Sequence, residues 1–257
     1  MKLPAKEKWL WLVPLIAVLL LWEFTAGYVI KNPLMLPRFS AVIFSIYALR
    51  NVLIADTLIS LLHFGIGLAL AFAAALPLAI GMGWSRNIFK AIDPIIEILR
   101  PIPPLAWIPI AMIWFHLTHY AAGFIIFIGA FFPILIDSYT GFRDVPKVLV
   151  ETGKVLGCIS DKKQIKYIAF PYALPSIATG TRVGMGVGWM CVVAAEMFGV
   201  SDSGLGYRLF QKFYFLHQMD YVVAYMLVLG LVALCLDRLF RHFVEDKLFK
   251  WKKGIVK

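Results

Sequence analysis

The segment "LISLLHFGIGLALAFAAALPLAIGMGW", residues 58–84, contains no Asp, Glu, Lys or Arg. About 20 consecutive apolar residues are enough for a helix to cross the hydrocarbon core of a bilayer. The segment therefore predicts a membrane-spanning helix. Its four glycines favour the close approach of a neighbouring helix, and they are Gly65, Gly67, Gly81 and Gly83.

The composition of the whole chain leads to the same fold class. Of the 257 residues, 61% are hydrophobic and only 16% are charged, and the mean hydropathy is +0.81. These values exclude an ordinary soluble globular domain. The length leaves room for five or six spans with short connections and for no sizeable soluble domain. The three cysteines lack the spacing of a disulfide framework or of a metal site.

Apolar segments separated by charged ones predict an all-α, polytopic membrane protein with about six transmembrane helices. Residues 38–53 are apolar but too short and too charged to cross the bilayer, so we expect an interfacial or re-entrant helix there. In chain order, the predicted spans are residues 9–30, 58–84, a third from about 92 to a turn at 116–120, then 120–142, 168–198 and 221–243.

The distribution of basic residues predicts the orientation in the membrane. With the amino terminus in the cytosol, the inner segments hold 18 Lys and Arg residues, against 5 in the outer loops. We therefore expect a multi-pass protein of the cell (inner or plasma) membrane with both termini in the cytosol. The basic tail would then lie at anionic lipid headgroups. Orientation explains the formal net charge of +10 better than nucleic-acid binding does.

The longest predicted inner connection contains an amphipathic helix between spans four and five. In "VPKVLVETGKVLGCIS", residues 145–160, one helical face carries Val148, Thr152, Val155, Leu156 and Ile159. Glu151 lies on the neighbouring flank, and Gly157 interrupts the stripe where a partner backbone could come close. Such a helix lies on lipid or docks into a protein partner, and composition alone favours lipid.

Four prolines fall in the apolar stretch "LRPIPPLAWIPIAMIWF", residues 99–115. Proline inside a helix removes a backbone hydrogen bond, and in lipid the freed carbonyl groups need a partner in protein or water. We therefore expect a kinked or partly unwound segment against a translocation pathway, with Pro103 and Pro109 lining it. Arg100 closely follows two acidic residues, which fits a charge network at the cytosolic mouth or snorkelling to the headgroups.

The fifth predicted span contains the sequence "GTRVGMGVG", residues 180–188. Gly180, Gly184 and Gly188 repeat every fourth residue and present a flat face for helix packing. Packing is a more economical interpretation of these glycines than direct contact with a solute.

Two charged residues of the same span are candidates for the pathway. Arg182 points away from the glycine face, and it lies about 21 Å into the predicted helix at 1.5 Å per residue. We expect it to face the pathway and attract an anion, or to form a structural ion pair. Glu196 lies near the outer end of the span and is also assigned to the pathway. The possible ion-pair partners of Arg182 are Glu23, Asp137 and Glu196.

The stretch "VETGKVLG", residues 150–157, followed by "IAFPYALPSIATGTRVGMGVGWMCVVAAEMFGVSDSGLGY", residues 168–207, resembles the signature region of ABC importer permeases. In that family a Glu-Ala-Ala triplet precedes a glycine and then a Leu-Pro pair that enters the next span. This sequence supplies Glu151, Gly157 and Pro171. It departs from the pattern at Thr152, Gly153 and Phe170, and by one extra residue between Gly157 and Pro171.

A second pattern resembles the nitrate, sulfonate and taurine type of these permeases. The pattern "RxxPxxAxxPxxxxWF" is matched by Arg100, Pro103, Ala106, Pro109, Trp114 and Phe115. The resemblance covers roughly residues 57–243. It implies a permease transmembrane domain at 57–243, an amino-terminal span with its interfacial segment at 1–56, and a basic cytoplasmic tail at 244–257.

The resemblance implies a division of labour between subunits. This chain has no GxxxxGK[ST] phosphate loop, so ATP and Mg²⁺ are expected on a dimer of a separate cytoplasmic ATPase, with no cofactor in this non-enzymatic chain. A binding protein would dock on the outer face, and two identical chains would enclose the pathway for a small anion such as nitrate, a sulfonate, taurine or bicarbonate. The implied contacts with the ATPase are Val148, Glu151, Thr152, Val155, Leu156, Gly157 and Ile159.

Two other function classes fit less well. A stand-alone secondary transporter needs coupling carboxylates and usually an internal repeat, and no two-fold repetition is evident here. An intramembrane enzyme lacks HExxH, GxSxG or paired aspartates at mid-membrane. His116 and His119 have the spacing of a metal pair, but without a third ligand they predict no metal site.

Overall fold

The structure is a computed structural model that describes residues 12–248, and every regular element in that range is helical. Five helical segments of the described chain are long and apolar enough to cross a membrane, and a bent helix pair makes a sixth if it counts as one span. The prediction of an all-α polytopic membrane protein with about six transmembrane helices is confirmed. The five segments are Val13–Ile30, Arg50–Trp84, His119–Arg143, Asp161–Met197 and Met219–Val244.

The helices are numbered α1 to α11 along the described chain. They are α1 (Leu12–Phe24), α2 (Phe39–Ala48), α3 (Arg50–Trp84), α4 (Arg86–Leu99), α5 (Ile108–Phe115), α6 (His119–Arg143), α7 (Lys147–Val155), α8 (Asp161–Gln164), α9 (Phe170–Met197), α10 (Leu205–Tyr207) and α11 (Met219–Phe240). Wider π-helical turns extend or join them at Thr25–Ile30, Ile165–Ala169, Arg208–Tyr214 and Arg241–Leu248, and a 3₁₀ turn at Pro104–Trp107 leads into α5.

The second span begins earlier than the sequence indicates. A short apolar helix is present within residues 38–53, as expected, but its predicted end is wrong, because α2 ends at Ala48 and α3 already begins at Arg50. Helix α3 therefore carries Asp56 within a span, although that residue was expected to lie before it. The carboxylate is accommodated because the Arg208 side chain pairs with it.

The third predicted span is broken, as its prolines indicate. Helix α4 and the segment Pro104–Phe115 meet at an angle of 89°. The expected start near residue 92 is wrong, since α4 begins at Arg86. Ser85 supplies the N-cap there, and its side chain accepts a hydrogen bond from the backbone N–H of Ile88 at 3.4 Å.

The centre of the fold is a layer in which α6 packs between α3 and α9. Small residues permit this packing. Ala71, Ala75 and Ala79 of α3 are fully buried, and a Cβ on Gly67 would lie 2.7 Å from the carbonyl oxygen of Gly123 on α6.

The predicted ends of the chain are only partly described. Most α1 side chains are exposed, as expected for a helix that faces lipid. Residues 9–11 of the predicted first span and residues 249–257 of the predicted basic tail lie outside the described residues.

Candidate functional site

The loop between α6 and α9 contains the predicted amphipathic helix, but the helix is shorter than expected. Helix α7 ends at Val155, and Gly157 adopts a left-handed conformation with φ of +92°. The N–H of Cys158 donates to the carbonyl of Gly153 at 2.8 Å, which closes the helix end. The predicted helical face is therefore wrong at Ile159, because Gly157 reverses the chain before that residue.

Apolar side chains nevertheless form an exposed surface on this loop. Val155 is 87% exposed, Leu156 78% and Ile159 78%. Together with the exposed Val148, these residues form what we call the coupling patch. Exposed apolar surface of this kind contacts either a protein partner or lipid.

The other residues predicted on this loop lie around the patch. Glu151 and Thr152 are exposed on α7. The Thr152 hydroxyl donates to the carbonyl of Val148 at 2.8 Å, so it is engaged within the helix. A Cβ on Gly157 would meet nothing within 4 Å, so this position is open to a partner backbone.

The coupling patch is fastened to the base of α9. Gly153 is buried, and a Cβ there would overlap the side chain of Ile168. Gln164 is also buried, and its side-chain amide donates to the carbonyls of Cys158 at 2.9 Å and Ile159 at 3.2 Å. These contacts join the patch to the turn that leads into α9.

A cleft beside the break between α4 and α5 contains Arg100. Two cavities, of about 620 and 330 Å³, meet at this residue. Asp93, Glu97 and Arg143 line the larger cavity, so the acidic residues near Arg100 share one space with it. The smaller cavity is mostly apolar, and Asp137 of α6 lines it opposite Arg100.

The two prolines assigned to the pathway lie elsewhere. Pro103 and Pro109 are exposed and line neither cavity of the cleft. Pro101 lines the larger cavity and Pro104 the smaller one. The break itself positions the cleft, because it turns the chain where Arg100 leaves α4.

Arg182 has a carboxylate partner that the sequence analysis did not name. Its Nε donates to Asp237 Oδ1 at 2.7 Å and its Nη2 to Asp237 Oδ2 at 3.2 Å, in a two-pronged pair with α11. The predicted partners Glu23, Asp137 and Glu196 are wrong. Asp237 precedes two arginines near the end of α11, so the pair lies towards that end of the span.

Glu196 is enclosed by protein, which differs from its predicted place along a pathway. Its side chain is 0% exposed. The carboxylate accepts hydrogen bonds from Ser60 Oγ at 2.9 Å and from the backbone N–H of Gly206 at 2.8 Å. His63 Nδ1 lies 2.8 Å from it, and His63 Nε2 lies 2.7 Å from His119 Nδ1.

This arrangement, which we call the Glu196 cluster, joins four elements, namely α3, α6, α9 and the segment that follows α9. It ties α3 and α9 to the loop that follows α9, since Ser60 also accepts from the backbone N–H of Leu205 at 2.9 Å. His119 ends the chain of contacts at the exposed start of α6. His116, the other half of the predicted pair, lies in the turn before it with φ of +55°.

The three glycines at every fourth position of α9 face α6. A Cβ on Gly180 would lie 2.9 Å from the carbonyl oxygen of Pro133, and one on Gly184 would lie 2.9 Å from that of Ala130. Gly188 has more room, with Ile126 at 3.4 Å. Two of the three positions therefore exclude any side chain while the backbones stay in place.

Two carboxylates that the sequence did not single out, Asp56 and Asp220, have partners inside the helical layer. Asp56 accepts a two-pronged contact from Arg208 and a hydrogen bond from the Tyr225 hydroxyl at 2.7 Å. Hydrogen bonding to Asp56 raises the pKa of the Arg208 guanidinium. Asp220 similarly accepts from Ser45 at 2.8 Å. Each of these acids lies in or beside an apolar segment, which is itself a signal that a partner is needed.

Comparison with known proteins adds an independent line of evidence. Residues 65–247 match the family described as binding-protein-dependent transport system inner membrane component. The chain is 47% identical to a putative ABC transporter permease protein of Methanocaldococcus jannaschii, over 94% of this chain and 91% of that protein. It is 36% identical to a nitrate import permease protein of Synechocystis sp., over 73% and 66% of the two chains. It is 35% identical to a taurine transport system permease protein of Escherichia coli, over 70% and 65%.

Proposed function

Because the chain belongs to the family of binding-protein-dependent transport system inner membrane components, we propose that it forms the translocation pathway of an ATP-driven importer and is coupled to a separate ATPase through residues 147–159. The family membership identifies a multi-pass, non-catalytic membrane subunit. It also implies two partners, an ATPase and a solute-binding protein. ATP and Mg²⁺ are bound by the ATPase, and this chain needs no cofactor.

The observation that carries the coupling proposal is the exposed coupling patch. Burial of apolar surface stabilises association by about 25 cal/mol per Å², and the patch offers four large side chains to a partner. Contacts of Gly153 and Gln164 attach the patch to the base of α9, so we expect the patch and α9 to move together. A helix that only rested on lipid would not need this attachment.

The proposed orientation places the coupling patch and both termini in the cytosol. The excess of Lys and Arg in the connections on that side supports it. The loop between α9 and α11 then lies outside, where the exposed Phe215 and Leu216 offer a surface to the solute-binding protein.

The pathway is proposed to lie between two identical copies of the chain. Helices α4, α6 and α9 supply one wall of the cleft at Arg100, and the exposed Val183 is one of its lining residues. A second copy would supply the opposite wall, as in closed two-fold assemblies.

The solute is proposed to be a small anion of the nitrate, sulfonate, taurine or bicarbonate class. Two of the relatives are named for nitrate and taurine, which supports this class. In such systems the binding protein selects the solute, and the pathway has to accommodate its charge.

The coupling proposal is tested by placing charge in the coupling patch. The double variant V155D/L156D is expected to lose copurification of the ATPase subunit and to reduce ATP-dependent uptake into proteoliposomes by at least about tenfold, because two desolvated carboxylates oppose docking. The double variant F215D/L216D at the other end of the molecule introduces the same two charges, so it is the matched control and should retain the ATPase.

Two outcomes would contradict the proposal. Retention of the ATPase by V155D/L156D would show that the patch is not the contact. Uptake that persists without nucleotide or ATPase would favour the alternative function, a stand-alone secondary transporter.

The pair between Arg182 and Asp237 is expected to act structurally. The double variant R182Q/D237N should retain solute uptake within about fivefold of wild type, since both charges are removed together and half-exposed ion pairs contribute little. Each single variant should melt at a lower temperature than the double variant. A double variant that is stable but does not transport the solute would indicate that Arg182 acts in the pathway.

A further inference from the structure

Arg182 and Arg208 are held by carboxylates of the apolar helices, whereas Arg100 is not. Two nitrogens of Arg182 donate hydrogen bonds to Asp237, and two nitrogens of Arg208 donate to Asp56. Both guanidinium groups are therefore engaged by the protein itself.

Arg100 has no such engagement. No hydrogen bond or ion pair joins its guanidinium to another residue within 12–248, and the same holds for the Asp137 carboxylate. The two groups nevertheless line one cavity of about 330 Å³. The two opposite charges therefore line the same cavity without forming an ion pair.

The lining of this space is largely apolar, and Phe132, Val183 and Val187 contribute to it. Arg100 is exposed and Asp137 is half-buried, so the guanidinium is open to a ligand. Arg100 is also the C-cap residue of α4, where the helix dipole favours the cation but not an anion. The attraction for an anion therefore has to come from the guanidinium itself.

We propose that Arg100 is the anion-binding residue of the pathway and that Asp137 is the counter-charge with which the anion competes. The guanidinium fork binds two oxygens of one ligand at once, so the ligand class is a small oxyanion such as a nitrate, sulfonate or carboxylate group. The inference rests on the proposed transport function, but it concerns binding rather than coupling. The anion site is thereby assigned to Arg100 and not to Arg182, for which the sequence left a pathway role and a structural ion pair open.

The test measures binding through the melting midpoint of the protein, and it needs neither nucleotide nor the identity of the solute. The full chain, copurified with its ATPase subunit in lipid nanodiscs, is melted in sodium nitrate or sodium methanesulfonate and compared with sodium chloride at equal ionic strength. A ligand at about ten times its Kd should raise the melting midpoint by about 3 °C. The oxyanions are expected to do so saturably in the wild type.

The variants distinguish the loss of the Arg100 charge from a general loss of stability. R100Q should respond to the oxyanions only as it does to chloride, R100K should recover part of the shift, and D137N should reach half of the shift at a lower oxyanion concentration. The matched control R182Q/D237N should respond as wild type does.

Three results would overturn the inference. They are a wild-type response in R100Q, weaker binding in D137N, and a wild type that the oxyanions stabilise no more than chloride does. In each case the coupling proposal would still stand if V155D/L156D loses the ATPase, so the two failures are distinguishable.

Discussion

Replacing Glu196 with alanine is expected to lower the free energy of unfolding by about 3 kcal/mol, because each buried donor left without its acceptor costs about 1–3 kcal/mol. The truncation leaves Ser60, His63 and the backbone N–H of Gly206 without their acceptor in a site that is closed to solvent. Unsatisfied buried donors account for most of this cost. The measurement is the melting midpoint of the purified protein in detergent.

Two further variants calibrate this result. E196Q keeps the shape and one acceptor oxygen, so it should fall between wild type and E196A. D202N removes an exposed carboxylate from the loop that follows α9, and it should stay within about 0.5 kcal/mol of wild type. An E196A protein that melts like D202N would show that the Glu196 cluster contributes no stability.

Replacing Gly184 with valine is expected to cost about 3 kcal/mol, at the upper end of the usual range for an overpacked interior. A Cβ at this position would lie 2.9 Å from the carbonyl oxygen of Ala130 and 2.8 Å from Cγ1 of Ile134. The Ile134 side chain can turn aside, but the backbone of α6 cannot. Helices α6 and α9 would have to separate, which disturbs the centre of the layer.

Gly186 provides the matched control two residues along the same helix. A Cβ there meets nothing within 4 Å, so G186V should fold and melt like wild type. Melting of both proteins under the same conditions decides the question. Equal loss of stability in G184V and G186V would mean that valine disturbs α9 itself and that packing against α6 is not the cause.

The Glu196 cluster also bears on how the outer loop is used. The segment after α9 is joined to α3 and α9 through Glu196, and to α3 also through the pair between Arg208 and Asp56. If the binding protein docks on this segment, both buried carboxylates connect it to the helical layer. The coupling patch occupies the other end of α9. Helix α9 therefore links the two proposed docking surfaces.

Much of the fold could be predicted because lipid imposes a simple rule. A long apolar run has to form a helix in a bilayer, so residues 58–84 predicted a span that the structure extends only at its beginning. The prolines at 101–109 predicted a break for the same reason, since freed backbone groups need partners. The direction and size of the bend, 89°, could not be predicted, because they depend on the packing of α4 on α3 and of α5 on α6.

The candidate site was less accessible to sequence analysis. The pattern identified Arg182 and Arg100 equally well as charges among apolar residues, and nothing in it showed that Asp237, 55 residues away, would engage the first and leave the second facing a cavity. Gly157 was noticed as an interruption, but only its backbone angle shows that it ends α7.

The sequence by itself determined the class of this protein, its approximate spans, its family resemblance and the loop proposed for coupling. All of these depend on composition, periodicity or short motifs, which are local along the chain. The tertiary structure alone decided which charges are paired, that Glu196 is enclosed, and that Arg100 remains available. Those outcomes depend on distances between helices that are far apart in sequence. A charged residue in an apolar layer stabilises the fold if another helix supplies its partner, and it can bind a ligand if none does.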